Sequence, residues 1–336
     1  MKYKDSATQH NVVLITGAAG FFGSHIATRF LRSGKHLVVV DKINAETTAV
    51  KEKEENLKRL MNLADQIPEA QISIYRQDIF DDEGIREIIK EANPTVCVHA
   101  ASLVDDRRSV KHPSDYLTVN TIGTQKLLQA IIDSGIIKQV VYISTRSTFG
   151  QVSAPNQLIS EEHPKRPINP YGASKVGAEA ICHVYNHIYD LNINIIRIFA
   201  LYGPHGRPDM IPRQLIEKIY SEKKIQKFGS GEANRDWMYV DDAADAVFLA
   251  ANKPLGFEVF NIGTGKGTSL NELIEIAEEV VGKPAMIEEL PVPSGDAHFV
   301  GVADNSKARE LLVWNPKISL KEAMAQTFAQ FLVNKP

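Results

Sequence analysis

Apolar residues along the chain fall into short blocks with polar stretches between them. Val12 to Ile15, Leu37 to Val40, Ile72 to Tyr75, Val96 to His99, Val140 to Ile143 and Ile193 to Phe199 are brief, largely apolar runs. Runs of that length read as strands buried on both faces of a parallel sheet. Between them the apolar positions recur at helical spacing. Ile26, Ala27, Phe30 and Leu31 follow the first run, and Tyr116, Val119, Ile122, Leu127, Leu128 and Ile131 lie over Pro113 to Asp133. Ala178, Ala180, Ile181, Val184 and Ile188 continue a stripe that starts at Pro170, a residue suited to a first helical turn. Strand and helix therefore alternate, the pattern of an α/β protein. From Ala200 the alternation becomes irregular. Helices are expected over Ile211 to Tyr220, Val240 to Ala251, after an N-cap at Ser269, and over Asp304 to Leu311 and Leu320 to Leu332, with a strand at Glu258 to Ile262.

Glycines sharpen this reading. The first strand runs into Gly17-Ala18-Ala19-Gly20-Phe21-Phe22-Gly23, and a helix follows. Glycine at a strand-to-helix turn lets backbone approach a pyrophosphate, which then rests on the helix N-terminus. The second strand ends in Asp41, about 20 residues on, where a carboxylate would hold the ribose hydroxyls of NAD and repel the 2′-phosphate of NADP. The fold expected is a Rossmann-type doubly wound parallel sheet with a smaller α/β C-terminal domain that binds substrate. Residues 1–10 read as a polar tail, 11–199 as the NAD-binding domain with 236–262 returning to it, and 200–235 with 263–334 as the second domain.

At 336 residues the chain is long for a single core, which suits two domains. A formal charge of −3 offers nucleic acid or an anionic membrane no electrostatic attraction. No apolar run approaches the roughly 20 residues needed to span a bilayer, and Met1 to His10 lacks the apolar segment of a signal peptide. Cys97 and Cys182 lie in a buried-looking strand and on an apolar helix, as two packing thiols of a reduced, cytoplasmic protein would. His99 ends an apolar strand and reads as a packed histidine; no metal site is expected. Lys51 to Arg59 is dense in charge and reads as the wet face of a helix, with no chemistry assigned.

Further cofactor contacts are expected from Asp78 and Ile79 after the third strand, although Asp78 could equally cap the helix near Asp81. Ala100 and Ala101 after the fourth strand would let a cofactor pass close to the backbone. Asn120, polar amid apolar neighbours, is expected to bond to the adjoining strand or loop. The fifth strand delivers Ser144 and Thr145 at its carboxyl end, the edge where open α/β sheets bind ligands.

Tyr171 and Lys175, four residues apart, share one helix face. A free tyrosine has a pKa of roughly 10, and an ammonium beside it favours the phenolate. With the Thr145 hydroxyl to hold the substrate oxygen, this is a suitable arrangement for taking the proton from an alcohol during its oxidation.

With glycine loop, Asp41, Thr145 and Tyr171-x-x-x-Lys175 in hand, the chain resembles the extended short-chain dehydrogenase/reductases over nearly its whole length. It is most similar to their nucleotide-sugar branch through Asn120, Ser144-Thr145, Phe149-Gly150, Arg235 to Asp242 and Asn261 to Gly265. Gly206-Arg207-Pro208-Asp209-Met210 looks like the signature of UDP-glucuronate 4-epimerases. The resemblance implies NAD as cofactor and a UDP-sugar as partner. It implies oxidation at C4, rotation of the 4-keto sugar and return of the hydride to its other face. Tyr171 would be the base, Lys175 would lower its pKa and bind the nicotinamide ribose, and Thr145 would orient the 4-hydroxyl. Arg207 would lie near the C6 carboxylate and Arg235 on the UDP phosphates. Arg207 could alternatively pair with Asp209, and Arg235 with Asp236 or Asp241. A homodimer packed through the Asn120 and Tyr171 helices is also implied.

Two positions depart from that pattern. Ala200 stands where these epimerases usually carry threonine, and Arg146 follows Thr145 where they carry a small hydroxyl residue. The segment from Gly295-Asp296 to Ala303-Asp304 is one residue longer than usual. Related dehydratases place Asp-Glu after the catalytic hydroxyl residue, and decarboxylases place a glutamate where Ser147 stands. Arg146-Ser147 replaces neither, which favours epimerisation, on a uronic acid or on a neutral or N-acetylated UDP-hexose. A non-catalytic NAD-binding protein would have no need of Tyr171, Lys175 and Thr145 together.

Overall fold

The computed structural model describes residues 12–43, 50–152, 157–291 and 301–333. The expected polar tail, and most of the stretch from Gly295 to Asp304, lie outside them. In chain order the strands are β1 Val12–Thr16, β2 His36–Val40, β3 Gln71–Tyr75, β4 Val96–His99, β5 Gln139–Thr145, β6 Leu158–Ile159 and β7 Asn192–Ile198. They continue with β8 Ala200–Tyr202, β9 Lys224–Phe228, β10 Trp237–Tyr239, β11 Phe257–Ile262, β12 Met286–Leu290 and β13 Val302–Ala303. The first helices are α1 Phe21–Leu31, α2 Val50–Asp65, α3 Asp82–Ala92, α4 Asp106–Lys111, α5 Pro113–Tyr116 and α6 Gly123–Ser134. They are followed by α7 Pro170–Tyr189, α8 Ile211–Tyr220, α9 Val240–Ala251, α10 Leu270–Val281 and α11 Leu320–Val333.

Seven strands make one sheet in the order β11-β7-β5-β4-β1-β2-β3, and the pairs β1–β2, β1–β4, β2–β3 and β4–β5 run parallel. Residues 13–15 of β1 and 37–40 of β2 are each 2 % exposed or less, so helices cover both faces of the sheet centre. That double burial is why these strands are continuous apolar runs with no alternation. The order reverses between β1 and β4, the switch point at which open α/β sheets take ligands.

Contact density divides the chain into two compact units. The first comprises Met1–Thr148, Pro167–Arg197 and Ala244–Phe260, and the second Phe149–Arg166, Ile198–Ala243 and Asn261–Pro336. Besides two-residue shifts at 198–199 and 261–262, these bounds differ from the sequence expectation at two places, both for reasons of strand pairing. Residues 149–166 carry β6, which pairs with β13 and so joins the second unit. Residues 237–239 pair as β10 with β8, so the returning segment starts at Ala244, later than residue 236.

Two helices also differ from expectation. The long helix over Pro113 to Asp133 is interrupted by a turn of π-helix at Leu117–Ile122. Inside that turn Asn120, 1 % exposed, binds the backbone of Leu103 through both amide atoms, at 2.8 and 2.9 Å, and donates to Ser174 Oγ at 2.9 Å. The wider turn carries a polar side chain into an apolar interface, and π-bulges are frequent at functional positions. The helix expected over Asp304 to Leu311 contains a π turn, Ala308–Leu312, ended by Val313 at φ +58°. The helix α4 and the pairs β8–β10, β9–β12 and β6–β13 had no clear sequence signature, because short elements stabilised by distant partners have little periodicity of their own.

Asn120→Ala would leave the Leu103 amide and carbonyl without their partner. A buried polar group left unsatisfied costs about 1–3 kcal/mol. Urea unfolding is expected to show a loss of at least that size, and hydrogen exchange should quicken at Leu103.

Candidate active site

In the first unit, β1 ends at Thr16 and the chain turns through Gly17 into α1. Gly17 has φ +75°, and a Cβ there would lie 2.6 Å from the Ala101 backbone nitrogen. The glycine turn and Ala100-Ala101 thus run side by side with no room for a side chain. Gly20 is the N-cap of α1 and supplies no side-chain hydrogen bond, so a bound anion could take that role for the first amides. Phe21 and Phe22 open the helix, with the Phe21 ring edge-on to His25 at 5.6 Å, and Gly23 is buried.

Asp41, 4 % exposed, follows β2 with its carboxylate held on two sides. Oδ2 accepts the Ala19 amide at 2.9 Å and Oδ1 accepts Lys53 Nζ at 2.6 Å. Lys53 belongs to the charge run read as a wet face without chemistry. The run instead docks α2 onto the glycine turn, since Asn56 donates to Ala19 O at 2.9 Å and Arg59 to Ser24 Oγ at 3.0 Å. Asp78 pairs with Lys42 at 2.9 Å and accepts the Phe80 amide at 3.0 Å, while Asp81 is the cap of α3. Ile79 beside it is buried. His99 is the packed histidine expected, bonded to Thr16 Oγ1 at 2.7 Å and Thr124 Oγ1 at 3.0 Å. Burial, and then Lys175, push its pKa down to about 3. These residues fit a dinucleotide: a crowded glycine turn, an uncapped helix start and a buried carboxylate at the second strand end.

The start of α7, which carries Tyr171 and Lys175, packs beside the end of β5, which carries Thr145. Asn169 caps α7 by accepting the Gly172 amide at 2.8 Å. A Cβ at position 172 would collide with the Ser147 carbonyl, so only glycine lets the helix start lie this close to the strand end. The Tyr171 ring is edge-on to Tyr116 at 6.1 Å. One turn on, Lys175 is 2 % exposed, donates Nζ to Ile143 O at 2.9 Å and lies 4.9 Å from the centre of the Tyr142 ring. Burial pushes its pKa down to about 7, against the opposing pull of Cys182 and Glu179.

Thr145 is 8 % exposed, and its Oγ1 accepts the Ser147 amide at 3.2 Å and lies 3.4 Å from Ser147 Oγ. Behind it, Ser144 Oγ donates to Glu179 Oε1 at 2.6 Å, and Glu179 takes two bonds from Arg197, at 2.9 and 2.8 Å. Sequence reading missed both members of that pair, although Glu179 four residues after Lys175 marks the same helix face. It also missed Asp106, which accepts from Ser147 Oγ at 3.4 Å and is faced by Arg146. Cys97 and Cys182 are buried and free, and burial alone pushes the Cys97 thiol up to about 12.

The second unit holds the two other arginines. Arg207 binds Asp209 through two parallel hydrogen bonds, both 2.9 Å, which is the alternative pairing considered for it. That guanidinium holds the Asp209 carboxyl below its ordinary value. Arg235 pairs through its backbone with Thr268 at 3.0 and 2.9 Å, and its guanidinium lies 5.7 Å from the centre of the Trp237 ring. Asp236 is engaged elsewhere, accepting from the Thr264, Gly265 and Ala303 amides and the Thr264 hydroxyl. Ala200 donates its amide to Asp236 O at 3.1 Å.

The family described as "NAD dependent epimerase/dehydratase family" matches residues 13–263. The chain belongs to that family. Its cofactor is NAD, and like its named relatives this epimerase/dehydratase is an enzyme of the isomerase class. It is 36% identical over 317 residues to a UDP-glucuronate 4-epimerase of Thermodesulfobacterium geofontis, covering 94% of each chain. It is 33% identical to a UDP-glucose 4-epimerase of Mycolicibacterium smegmatis, covering 96% of this chain and 98% of that one. A UDP-glucuronic acid 4-epimerase of Bacillus cereus, solved with UDP-glucuronic acid and NAD, superposes with a TM-score of 0.84 at 32% identity, over 96% of this chain and 99% of that one. No helix among the described residues is long and apolar enough to cross a membrane.

Lys175 carries a stability cost that depends on pH. The unfolded chain keeps the ammonium in water up to about pH 10.4, whereas the native state gives it up near pH 7. The cost is therefore complete below about pH 7 and fades as pH rises towards the unfolded value. Cofactor-stripped Lys175→Met is expected to unfold at higher urea than wild type near pH 6–7, with the gap closing towards about pH 10. A gap that widens with pH would contradict the assignment.

Proposed function

We propose that this family member is an NAD-dependent UDP-sugar 4-epimerase that interconverts UDP-glucuronate and UDP-galacturonate. The observation that carries the reading is the start of α7 packed on the end of β5, where Gly172 abuts the Ser147 carbonyl and a buried Lys175 that titrates near neutrality donates to Ile143 O. Tyr171 takes the proton of the 4-hydroxyl, Lys175 stabilises the phenolate, and Thr145 orients the sugar oxygen. When bound, NAD supplies the hydride acceptor and donor. The Gly17–Gly23 turn would hold its pyrophosphate and Asp41 its adenosine ribose, with Asp78 and Ile79 beside the adenine and Ala100 and Ala101 along its path. Asn120 would contribute by pinning the loop at Leu103 and the helix at Ser174. Arg235 would meet the UDP phosphates, and Arg146 and Ser147 would lie at the sugar end.

The uronic acid is supported by the relatives at 36% and 32% identity and by Arg207, whose planar fork suits a carboxylate. Arg207 would exchange Asp209 for the sugar carboxylate. A neutral UDP-hexose is the second reading, favoured by the Arg207–Asp209 pair itself and by the relative named UDP-glucose 4-epimerase.

Incubation of the purified protein with UDP-glucuronate, without added cofactor, is expected to yield a mixture with UDP-galacturonate, and denaturation should release NAD. Tyr171→Phe should lose about 10²–10⁴-fold in rate, the scale of general acid–base catalysis, while still binding UDP-sugar. Faster turnover of UDP-glucose by wild type would transfer the assignment to the neutral hexose. Near-normal Tyr171→Phe turnover would remove Tyr171 from the mechanism.

The working form proposed is a cytoplasmic homodimer. Leu117 and Ile122 on the π turn, and Val184 and Ile188 on α7, are 44–60 % exposed on neighbouring helices. An apolar stripe of that kind supports a four-helix bundle formed with a second copy. Light scattering should report twice the chain mass for wild type and a monomer for Ile122→Glu combined with Val184→Glu.

A further inference from the structure

The short helix α4 brings a carboxyl group to the catalytic hydroxyls. Asp105 caps this helix, with Oδ1 accepting the Arg107 and Arg108 amides at 2.9 and 3.1 Å. Its φ of +102° is a conformation that residues with a side chain rarely adopt, and such outliers cluster at active sites. The next residue, Asp106, is half-buried and turned to the end of β5. Its Oδ1 accepts from Ser147 Oγ at 3.4 Å, and Ser147 Oγ in turn lies 3.4 Å from Thr145 Oγ1. The Asn169 side chain, the cap of the Tyr171 helix, also bonds to it. Asp106 therefore touches both segments that frame the catalytic residues.

Hydroxyl bonds normally span about 2.5–3.0 Å, so two contacts of 3.4 Å are loose ones that a better partner can replace. A sugar whose 4-hydroxyl sits on Thr145 supplies such partners. In a hexopyranose C6 is attached to C5, the neighbour of C4, so its substituent stays within a few ångströms of the 4-oxygen. With Ser147 bridging Thr145 to Asp106, a C6 substituent turned to that side would lie within range of the Asp106 charge.

We propose that Asp106 reads the charge of the sugar: it accepts a hydrogen bond from a neutral C6 hydroxyl as a carboxylate, and it binds a proton from solvent when C6 is itself a carboxylate. This rests on the 4-epimerase reading of the same site. Two carboxylates that share a half-buried space cannot both stay ionised at low cost, and one of them holds a proton. The sugar carboxylate is the stronger acid, so the proton goes to Asp106, which then donates to it. Burial already pushes the Asp106 carboxyl above its ordinary value, and Asp105 adds to the rise. Arg146 from the end of β5 opposes it, as do the bonds from Asn169 and Ser147. The facing helix α7 presents Tyr171 and Lys175 in its first turns, the latter a partial positive charge near neutrality, with Glu179, Cys182, His183, Tyr185, His187 and Tyr189 further along it, and α5 adds Asp115 and Tyr116. An arriving carboxylate, even with Arg207 as its main partner, competes with Asp106 for Arg146 and weakens the main influence holding that carboxyl ionised.

The test is calorimetric titration of the NAD-bound protein with UDP-glucuronate and with UDP-glucose, in buffers of different ionisation enthalpy. Wild type should take up close to one proton with the acidic sugar and none with the neutral one. In turnover assays, KM for UDP-glucuronate should rise towards tenfold per pH unit above the pKa of Asp106, with KM for UDP-glucose flat. Asp106→Asn keeps the shape and can still bond to Ser147, and it should abolish the proton uptake and flatten the KM profile. Equal proton uptake with both sugars in wild type would overturn the proposal, whatever the variant does. So would an undiminished difference in Asp106→Asn. Turnover of both sugars without differential uptake sinks the Asp106 role alone. Failure to epimerise either sugar sinks the 4-epimerase reading, and this proposal with it.

Discussion

Behind Thr145 a carboxylate and a guanidinium, each 1 % exposed, are bound to one another: Glu179 on α7 and Arg197 on β7. Neither charge could stay in that interior alone, because desolvating an isolated ion costs far more than one hydrogen bond returns. Together, with Ser144 as a third partner at 2.6 Å, they join a helix and two strands next to Thr145. Such a pair adds little net stability over a well-packed apolar core, but breaking it by removing one partner costs about 3–5 kcal/mol. Its effect here is positional. Ser144 is the residue before Thr145, and Glu179 lies one turn after Lys175, so the pair ties the Thr145 strand end to the Tyr171–Lys175 helix.

The same interior sets the charge of Lys175. In the role proposed for it burial matters, since an ammonium in a low-dielectric site acts strongly on a nearby phenol. Burial also drives its proton off, and Glu179 limits that loss. A lysine that titrates near 7 is the balance between the two effects. Asp106 shows the mirror image. Burial disfavours its charge and Arg146 restores it, so the carboxyl at the sugar end depends on what enters beside it.

Arg207 and Arg146 share one feature that bears on the choice between an acidic and a neutral sugar. Both are cations able to meet a carboxylate, and both face a carboxylate of the protein, Asp209 and Asp106. A paired arginine is a reader only to the extent that the substrate competes better than its internal partner. Specificity is then a difference between two ion pairs, and the composition of a motif cannot report such a difference.

The seven sheet strands, the glycine turn, Asp41 and the Tyr171–Lys175 helix were legible in the sequence because each rests on local pattern. Double burial makes a strand continuously apolar, a tight turn demands glycine, and four residues set a helix face. Much of what surrounds those residues was not legible. The Lys53–Asp41, Glu179–Arg197 and Asp106–Ser147 contacts join positions 12, 18 and 41 residues apart, on elements that only the packed sheet brings together. The π turn at Asn120 looked like ordinary helix because its cause is a partner at Leu103 on another segment. Sequence by itself determined which residues could do the chemistry, since residue type and spacing decide that. Tertiary structure alone decided that Lys175 is pushed down and Asp106 pushed up from their ordinary values, because burial and the nearest opposite charge are properties of the packed interior.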